Sequence, residues 1–379
     1  MRAQAGFLGG AIAILIVSQM VIRTSILLVR AKQEVRKSHP YVVSFGDVAG
    51  AVMGRTGKIV VDLSVVLTQV GFCVGYIVFL TRTLESISSF SRIYWTILVG
   101  VVLVPLAFIR RLRLLSPFSA LANFSIFLGF TSILAFASID IQRKGAHGTL
   151  ELFGSPTGIA LFWSIAVSGF EGMAVILPIE TSMGRDKGRF SSILTIVLVL
   201  VSVMLCAFGS VGYTAFGTDT HQIVSNNLPE ASSLALGVKC VLVVAVLFTY
   251  PIQLVPVLEV LESMILNVRP TEEGNPADFD HLVAAEDSRT SGSLEAARYT
   301  LRFLCVAATA AVAFMVPDFA YVSAIVGATG GTIIAFIMPV IISARVHNRW
   351  VPIDVAIMIL GSLGGAAGLF FIFAGKHVA

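Results

Sequence analysis

Ten long apolar stretches, separated by short polar links, follow one another along the chain. A helix that crosses a hydrocarbon core about 30 Å thick needs roughly 17 to 25 apolar residues, and each stretch meets that length. The stretches are continuously apolar, unlike the alternating strands of about ten residues in a membrane β-barrel. The pattern therefore predicts ten transmembrane helices, at residues 7–28, 59–80, 93–109, 118–139, 158–179, 190–212, 233–257, 299–316, 319–342 and 353–373.

The composition supports the same class, because 56% of the residues are hydrophobic, 13% are charged and the mean hydropathy is +0.90. Such a chain is predicted to be an all-α polytopic membrane protein with a single transmembrane domain over residues 1–379. The first apolar stretch is interpreted as a span and not as a signal peptide. It exceeds about twenty residues, lacks a clear small-residue cleavage site and is followed by a basic segment.

Lysine and arginine are concentrated in alternate links, which sets the predicted orientation. The positive-inside rule places the more basic links in the cytosol, at residues 29–58, 110–116, 184–189, 261–298 and 343–352. Both termini are then predicted on the opposite side. Residues 265–297, which are acidic and contain Gly, Pro and Ser, are interpreted as a flexible cytosolic loop. Because the basic residues are spread over short links, no nucleic-acid binding is predicted.

The sequence carries no recognisable signature of an enzyme. HExxH, GxSxG and GxxxxGK[ST] are absent, and the nearest match to the last has the wrong spacing, with Ile59 after Lys58. All six histidines fall in predicted links or at the C-terminus. The four cysteines fall in apolar spans without metal-ligand spacing. We therefore expect neither an enzyme nor a protein that holds a cofactor or a metal.

The fifth predicted span contains a carboxylate between two glycines, in the segment SGFEGMAVILPIE at residues 168–180. Glycine and proline release backbone groups that lipid cannot satisfy, so the helix is predicted to break near Gly169 and Gly172. An ionised Glu171 at this depth costs at least about 2.5 kcal/mol unless it is paired, protonated or facing a cavity. Two interpretations stay open: Glu171 lies at a ligand site beside a half-helix N-terminus, or it is a structural group that caps the broken backbone.

The seventh predicted span carries a second signature of this kind, TYPIQLVPVLEVLE at residues 249–262. Pro251 and Pro256 each remove a backbone donor, which predicts an interrupted helix through this half of the span. Tyr250 and Gln253 would then lie beside freed carbonyl groups and line a cation or substrate site. The alternative is a proline kink that serves packing alone.

A third segment, TQVGFCVGYIVF at residues 68–79, contains Gly71 and Gly75 on a small face that lets another backbone approach closely. Tyr76 follows that face and either lines a cavity or packs against a neighbouring helix. Similar small faces at residues 327–331 and 361–368 are interpreted as packing surfaces only. Interrupted helices with one deep carboxylate and no catalytic set are typical of a secondary transporter. A non-transporting sensor is the first alternative, ahead of a channel, for which no ring of like charges is visible.

The stretch SGFEGMAVILPIETSM resembles the phenylalanine-glutamate-glycine signature of the amino acid/auxin permease (AAAP) family, in its branch of vacuolar and proton-coupled amino acid transporters. Other segments resemble that family in the same order along nearly the whole chain: TQVGFCVGYIVFL, RRLRLLSPFSALANF, GYTAFGTDTHQIVSNNLP, YPIQLVPVLEVLE, PDFAYVSAIVGATGGTIIAFIMP and GSLGGAAGLF. The resemblance implies a LeuT-like (APC) inverted-repeat transporter fold. It also implies transport of amino acids by alternating access with a proton or, less often, Na⁺. Ten of the family's eleven spans are predicted, because the glycine-rich first span has no counterpart here; an inactive truncated form is therefore a further alternative.

By motif position the resemblance implies a set of substrate-binding residues: Ser168, Gly169, Phe170, Gly172, Phe72, Tyr76, Tyr250 and Gln253. Glu171 is the proton-coupling candidate, because no histidine lies in a predicted span. The expected partners are a small amino acid substrate and the lipid bilayer, and no oligomeric state is predicted. A vacuolar, lysosomal or other endomembrane is favoured over the plasma membrane, since the far-side links are small and the only N-glycosylation sequon, at Asn123, lies within a span.

Overall fold

The computed structural model describes residues 5–374, except residues 41, 110–111, 146–149, 171, 218–219, 222, 228–232, 267–291 and 317. Every regular element in this part of the chain is helical, which confirms the prediction of an all-α polytopic membrane protein. Nine helices of the described residues are long and apolar enough to cross a membrane. The third predicted span is a shorter apolar helix, Arg92–Ala107.

In chain order the α-helices are α1 (Phe7–Val35), α2 (Phe45–Glu85), α3 (Arg92–Ala107), α4 (Leu112–Lys144), α5 (Pro156–Gly169), α6 (Met173–Ser182), α7 (Phe190–Phe216), α8 (Ser233–Ile265), α9 (Gly292–Met315), α10 (Phe319–Val326), α11 (Met338–Val346) and α12 (Pro352–Ala374). Short 3₁₀ turns cover Gly184–Arg189 and Val224–Asn227. The fifth span consists of α5 and α6. The ninth consists of α10, two π-helical turns (Gly327–Gly331 and Ile333–Ile337) and α11.

A capping box starts α2 well before the apolar span that it contains. The Asp47 N–H donates to Ser44 Oγ at 3.1 Å, and the Ser44 N–H donates to Asp47 Oδ2 at 3.2 Å. The helix leaves helical geometry at Gly54, whose φ of 69° is a left-handed conformation that glycine adopts readily. A short first segment therefore precedes the transmembrane part, which is why the apolar pattern predicts only residues 59–80 of this helix.

Two core clusters include residues of α2. In one, Val65 of α2 packs with Met173 and Leu177 of α6. In the other, Cys73 of α2 packs with Tyr250 of α8. The helix also packs against α3, α9 and α10. As a result α2 lies between the broken fifth span and α8, and a residue on α2 can face either of them.

Links that are predicted to be cytosolic meet at one end of the bundle, which we call the basic end. Phe45 at the start of α2, Phe190 at the start of α7 and Ile342 of α11 share one core cluster there. At the opposite end, the Phe7 N–H of α1 donates to the Glu151 carbonyl at 2.8 Å. Consecutive spans therefore run in opposite directions, so α1 and α6 both finish at the basic end.

The prediction of an interrupted helix at residues 249–262 is wrong, because α8 is continuous from Ser233 to Ile265. Pro251 and Pro256 each lack an N–H, so each leaves one carbonyl of the preceding turn without its usual donor. The turns on either side keep their own hydrogen bonds, and α2 and α4 pack along the helix. Packing of this kind lets a membrane helix continue through proline.

Candidate substrate site at the break of the fifth span

The fifth span breaks where its glycines predict. α5 ends at Gly169, Phe170 has φ −106° and ψ 12°, Gly172 has φ −168° and ψ 0°, and α6 begins at Met173. The predicted interruption is therefore confirmed. The proton-coupling candidate Glu171 lies outside the described residues, so its role stays a prediction.

The two helix ends at the break are satisfied differently. On the α5 side, the Phe170 N–H donates to the Val167 carbonyl at 3.2 Å, and Ser168 Oγ donates to the Ile165 carbonyl at 2.8 Å. On the α6 side, Gly172 is the N-cap residue, and no side chain of a described residue caps this end. The first N–H groups of a helix have no partner within the helix and carry the positive end of its dipole. The start of α6 can therefore accept an anionic group inside the membrane domain.

The structure distributes the predicted residues of the break over several surfaces. Ser168 and Phe170 are buried, and Phe170 belongs to a core cluster with residues of α1. Gly169 is exposed, and a Cβ there would lie 4.0 Å from Leu205 Cδ1 of α7. At Gly172 a Cβ would meet no atom within 4 Å. The space that no described atom fills is therefore next to Gly169 and Gly172.

Phe72 and Tyr76 lie on the part of α2 that continues toward the break. Residues 65, 69, 72 and 76 are spaced by three or four, which puts them on one helix face. Val65 on that face packs with Met173 and Leu177 at the start of α6. Phe72 and Tyr76 are half-buried. Both side chains pack against the core cluster that contains Tyr250 of α8, so the structure brings these two predicted residues together with Tyr250.

Of the predicted residues of α8, Tyr250 lies in the core cluster against which Phe72 and Tyr76 pack. Tyr250 is completely buried, and its hydroxyl group is 2.8 Å from Thr309 Oγ1 of α9. Its polar atom is thus already engaged with a neighbouring helix. Gln253, one turn further along α8, is half-buried. A substrate role for these two residues stays a prediction, and the structure does not bring them against the break.

Glycines of the ninth span and of α12 fix the position of α5. A Cβ at Gly327 would lie 2.8 Å from the Ser164 carbonyl carbon and 3.1 Å from the Ser168 nitrogen. A Cβ at Gly364 of α12 would lie 2.6 Å from Trp163 Cε2. The predicted packing role of these small faces is confirmed. The π-helical form of the ninth span was not predicted, although such turns often occur at functional sites.

A buried ion pair at the end of α6 away from the break was missed by the sequence prediction. Lys32 Nζ donates to Glu180 Oε2 at 2.9 Å, to the Leu177 carbonyl at 2.7 Å and to Thr181 Oγ1 at 2.5 Å. Gln33 Nε2 donates to Glu180 Oε1 at 3.3 Å. Lys32 was predicted to lie in a cytosolic link, but it belongs to α1 and is 0% exposed. The pair ties α6, the half-helix after the break, to α1.

Comparison with known proteins extends this description to the whole chain. Residues 2–377 match the family described as "Transmembrane amino acid transporter protein". The chain is 29% identical to "Amino acid transporter AVT3B" of Arabidopsis thaliana over 389 residues, which cover 96% of this chain and 85% of the relative. It is 28% identical to "Amino acid transporter ANT1" of Arabidopsis thaliana over 386 residues, 98% of this chain and 86% of that one.

A shorter match, to "Vacuolar amino acid transporter 3" of Schizosaccharomyces pombe, is 30% identical over 230 residues, 59% of this chain and 34% of the relative. The family match spans nearly the full sequence, and it agrees with an all-helical structure whose helices are long and apolar enough for a membrane. The chain is therefore an integral membrane protein that belongs to the transmembrane amino acid transporter family, a family of transporters and not of enzymes.

Proposed function

We propose that this protein moves amino acids across a membrane by alternating access, coupled to protons. The observation that carries the proposal is the break of the fifth span, where α6 starts without a side-chain cap inside the membrane domain. An amino acid presents a carboxylate that suits such a helix start. The family and the names of the relatives support the substrate class.

A LeuT-like inverted repeat is part of the proposal, and the pattern of helix packing supports it. Such a repeat pairs α1 with α7, α2 with α8, α3 with α9, and α4 with the ninth span. A contact in one half should then recur in the other. α4 packs on α8, and the ninth span packs on α2. Likewise α4 packs on α7 while α11 packs on α1, and α3 packs on α8 while α9 packs on α2.

Glu171 is the proposed proton-coupling group, and an acidic organelle is the proposed setting. A relative whose printed name is "Vacuolar amino acid transporter 3" supports a vacuolar membrane. A carboxylate beside a helix break can bind a proton when the surrounding apolar medium disfavours its charge. Loading and release of that proton would then accompany the change of access.

Uptake by proteoliposomes tests the proposal. Purified protein is reconstituted, and accumulation of radiolabelled neutral amino acids is measured with an imposed pH gradient, with a Na⁺ gradient and with neither. We expect accumulation only with the pH gradient, and loss of gradient-driven uptake in Glu171→Gln while exchange of preloaded amino acid continues. Glu151→Gln is the matched control, because it makes the same chemical change at an exposed position, at the end of the bundle opposite to the basic end.

Three results would contradict the proposal. Saturable binding without accumulation under any gradient would indicate a sensor. Accumulation driven by Na⁺ alone would show that the coupling ion is wrong. Normal pH-driven uptake by Glu171→Gln would remove that residue from the coupling step.

A further inference from the structure

Gln69 of α2 is a buried amide whose oxygen has no hydrogen-bond partner among the described residues. The side chain is 2% exposed, and its Oε1 is completely shielded and accepts no hydrogen bond from them. Leaving a buried polar group unsatisfied costs about 1–3 kcal/mol, and lipid-embedded protein has no bulk water to relieve it. Buried polar groups in folded proteins are nearly always paired, so this orphan acceptor indicates a partner beyond the polypeptide described.

The position of Gln69 places it at the depth of the break. Val65, one turn nearer the basic end, packs with Met173 and Leu177 at the start of α6. α2 and the fifth span run in opposite directions. One turn of α2 away from the basic end, about 6 Å, therefore corresponds to moving about four residues back from Met173, across the break to Gly169. The residues at positions 72 and 76, which share the helix face of Gln69, pack against the cluster that contains Tyr250, so Gln69 lies between the two core clusters.

The nearest hydroxyl groups on α2 do not supply the missing hydrogen bond, because they are occupied locally. Ser64 Oγ donates to the Val60 carbonyl at 2.7 Å, and Thr68 Oγ1 donates to the Ser64 carbonyl at 2.7 Å. Gly330 of the ninth span packs directly on Thr68, which holds that hydroxyl in place. The Gln69 Oε1 is thus a buried acceptor of α2 that neither Ser64 nor Thr68 satisfies.

We propose that Gln69 is a substrate-binding residue whose Oε1 accepts a hydrogen bond from the α-ammonium group of the transported amino acid. This inference rests on the proposed function and adds one contact to the same site. The two ends of a zwitterion then meet complementary groups. The carboxylate lies at the uncapped start of α6, and the ammonium group lies at the amide oxygen of Gln69.

The test compares Gln69→Met with the natural protein, since methionine has a similar length but lacks a strong hydrogen-bond acceptor. A hydrogen bond to a charged group contributes about 1.5–3 kcal/mol, so the affinity for the amino acid should fall about tenfold or more. The affinity for its N-acetyl analogue, which lacks the ammonium group, should hardly change. The ratio of the affinity for the amino acid to the affinity for the N-acetyl analogue is measured by competition binding to purified protein. We expect this ratio to fall about tenfold or more in Gln69→Met. Gln69→Glu keeps an acceptor and should keep the ratio.

Gln19→Met is the control, because it makes the same change at an exposed glutamine of α1. Thermal unfolding of each variant shows whether it is folded. If Gln69→Met does not fold, the ratio is measured on Gln69→Glu and Gln69→Asn. The proposal then requires that Gln69→Glu, whose acceptor has the same reach, preserves the ratio and that the shorter Gln69→Asn does not. An unchanged ratio in a folded Gln69→Met would overturn the proposal. So would an effect that disappears in a Glu171→Gln background, because the amide would then serve Glu171.

Binding and uptake are measured separately, so a failure of this inference can be distinguished from a failure of the proposed function. A protein that binds amino acids in a Gln69-dependent way but never accumulates them would contradict transport and leave the Gln69 contact standing. A protein that accumulates amino acids, and whose Gln69→Met variant keeps the natural ratio of the two affinities, would contradict the Gln69 contact and leave transport standing.

Discussion

A single pair of residues, Lys32 and Glu180, shows how charge is accommodated inside this bundle. Lys32 is 0% exposed and Glu180 is 2% exposed, and their 2.9 Å contact joins the ends of α1 and α6. Two charges are expensive to bury, and their attraction offsets that cost only when further hydrogen bonds complete the geometry. Here the Leu177 carbonyl and Thr181 Oγ1 complete the shell of the ammonium group.

Removing one partner should therefore be more harmful than removing both. Lys32→Met leaves a buried carboxylate uncompensated and should lower the free energy of unfolding by about 3 kcal/mol or more. In Lys32→Met/Glu180→Met most of that loss should be recovered. Thermal unfolding in detergent measures both, with Lys37→Met as the control, since its ion pair with Glu34 is exposed. A double variant as unstable as the single one would show that the pair does not act through its charges.

Individual residues were the hardest part of the site to predict. Lys32 lies in a basic stretch and was assigned to a link, although it lies four residues after Leu28 and three before Val35, both buried on the same face of α1. Gln69 carries no signal in a single sequence, because an amide in an apolar span has the same pattern whether it is paired or not. Only the three-dimensional neighbours show which polar atom lacks a partner.

At the scale of the elements, the helical spans and the break of the fifth span were predicted correctly. Both depend on the length of an apolar stretch or on the position of glycines within a few residues of sequence. The break after Gly169 follows from backbone freedom within a few residues. The continuity of α8 through Pro251 and Pro256 does not, because it depends on the helices packed around it. The π-helical turn Gly327–Gly331 of the ninth span packs against α2 and α5, which lie far away in the sequence, so its local pattern did not predict it.

Close glycine contacts make the ninth span sensitive to a single methyl group. Gly327→Ala would place its Cβ against the Ser164 carbonyl group, and backbone cannot move aside as a flexible side chain can. We expect a loss of about 1–3 kcal/mol, the usual range for an overpacked core. Gly212→Ala in α7 is the control, because a Cβ there meets nothing within 4 Å and alanine favours the helix. Equal melting temperatures for the two variants would contradict the close packing.

At the scale of the whole molecule, the basic end is expected to face the cytosol. With the native cysteines replaced by alanine, Gly188→Cys introduces a thiol at an exposed, open position of the basic end. Leu150→Cys introduces one at an exposed position of the opposite end. In intact organelles, a membrane-impermeant maleimide added from the cytosol should label the first and spare the second. The reversed pattern would invert the orientation.

The break divides the fifth span into two halves with different mechanical partners. α5 is wedged by glycine contacts between the ninth span and α12, whereas α6 is fastened to α1 through Lys32. α1 also packs along α5, where Phe170 shares a core cluster with Ala13 and Val17, so α1 connects the two halves of the span. Any displacement of α6 at the basic end would then reach α1 directly through the Lys32–Glu180 pair, and α1 would transmit it to the fixed half of the span.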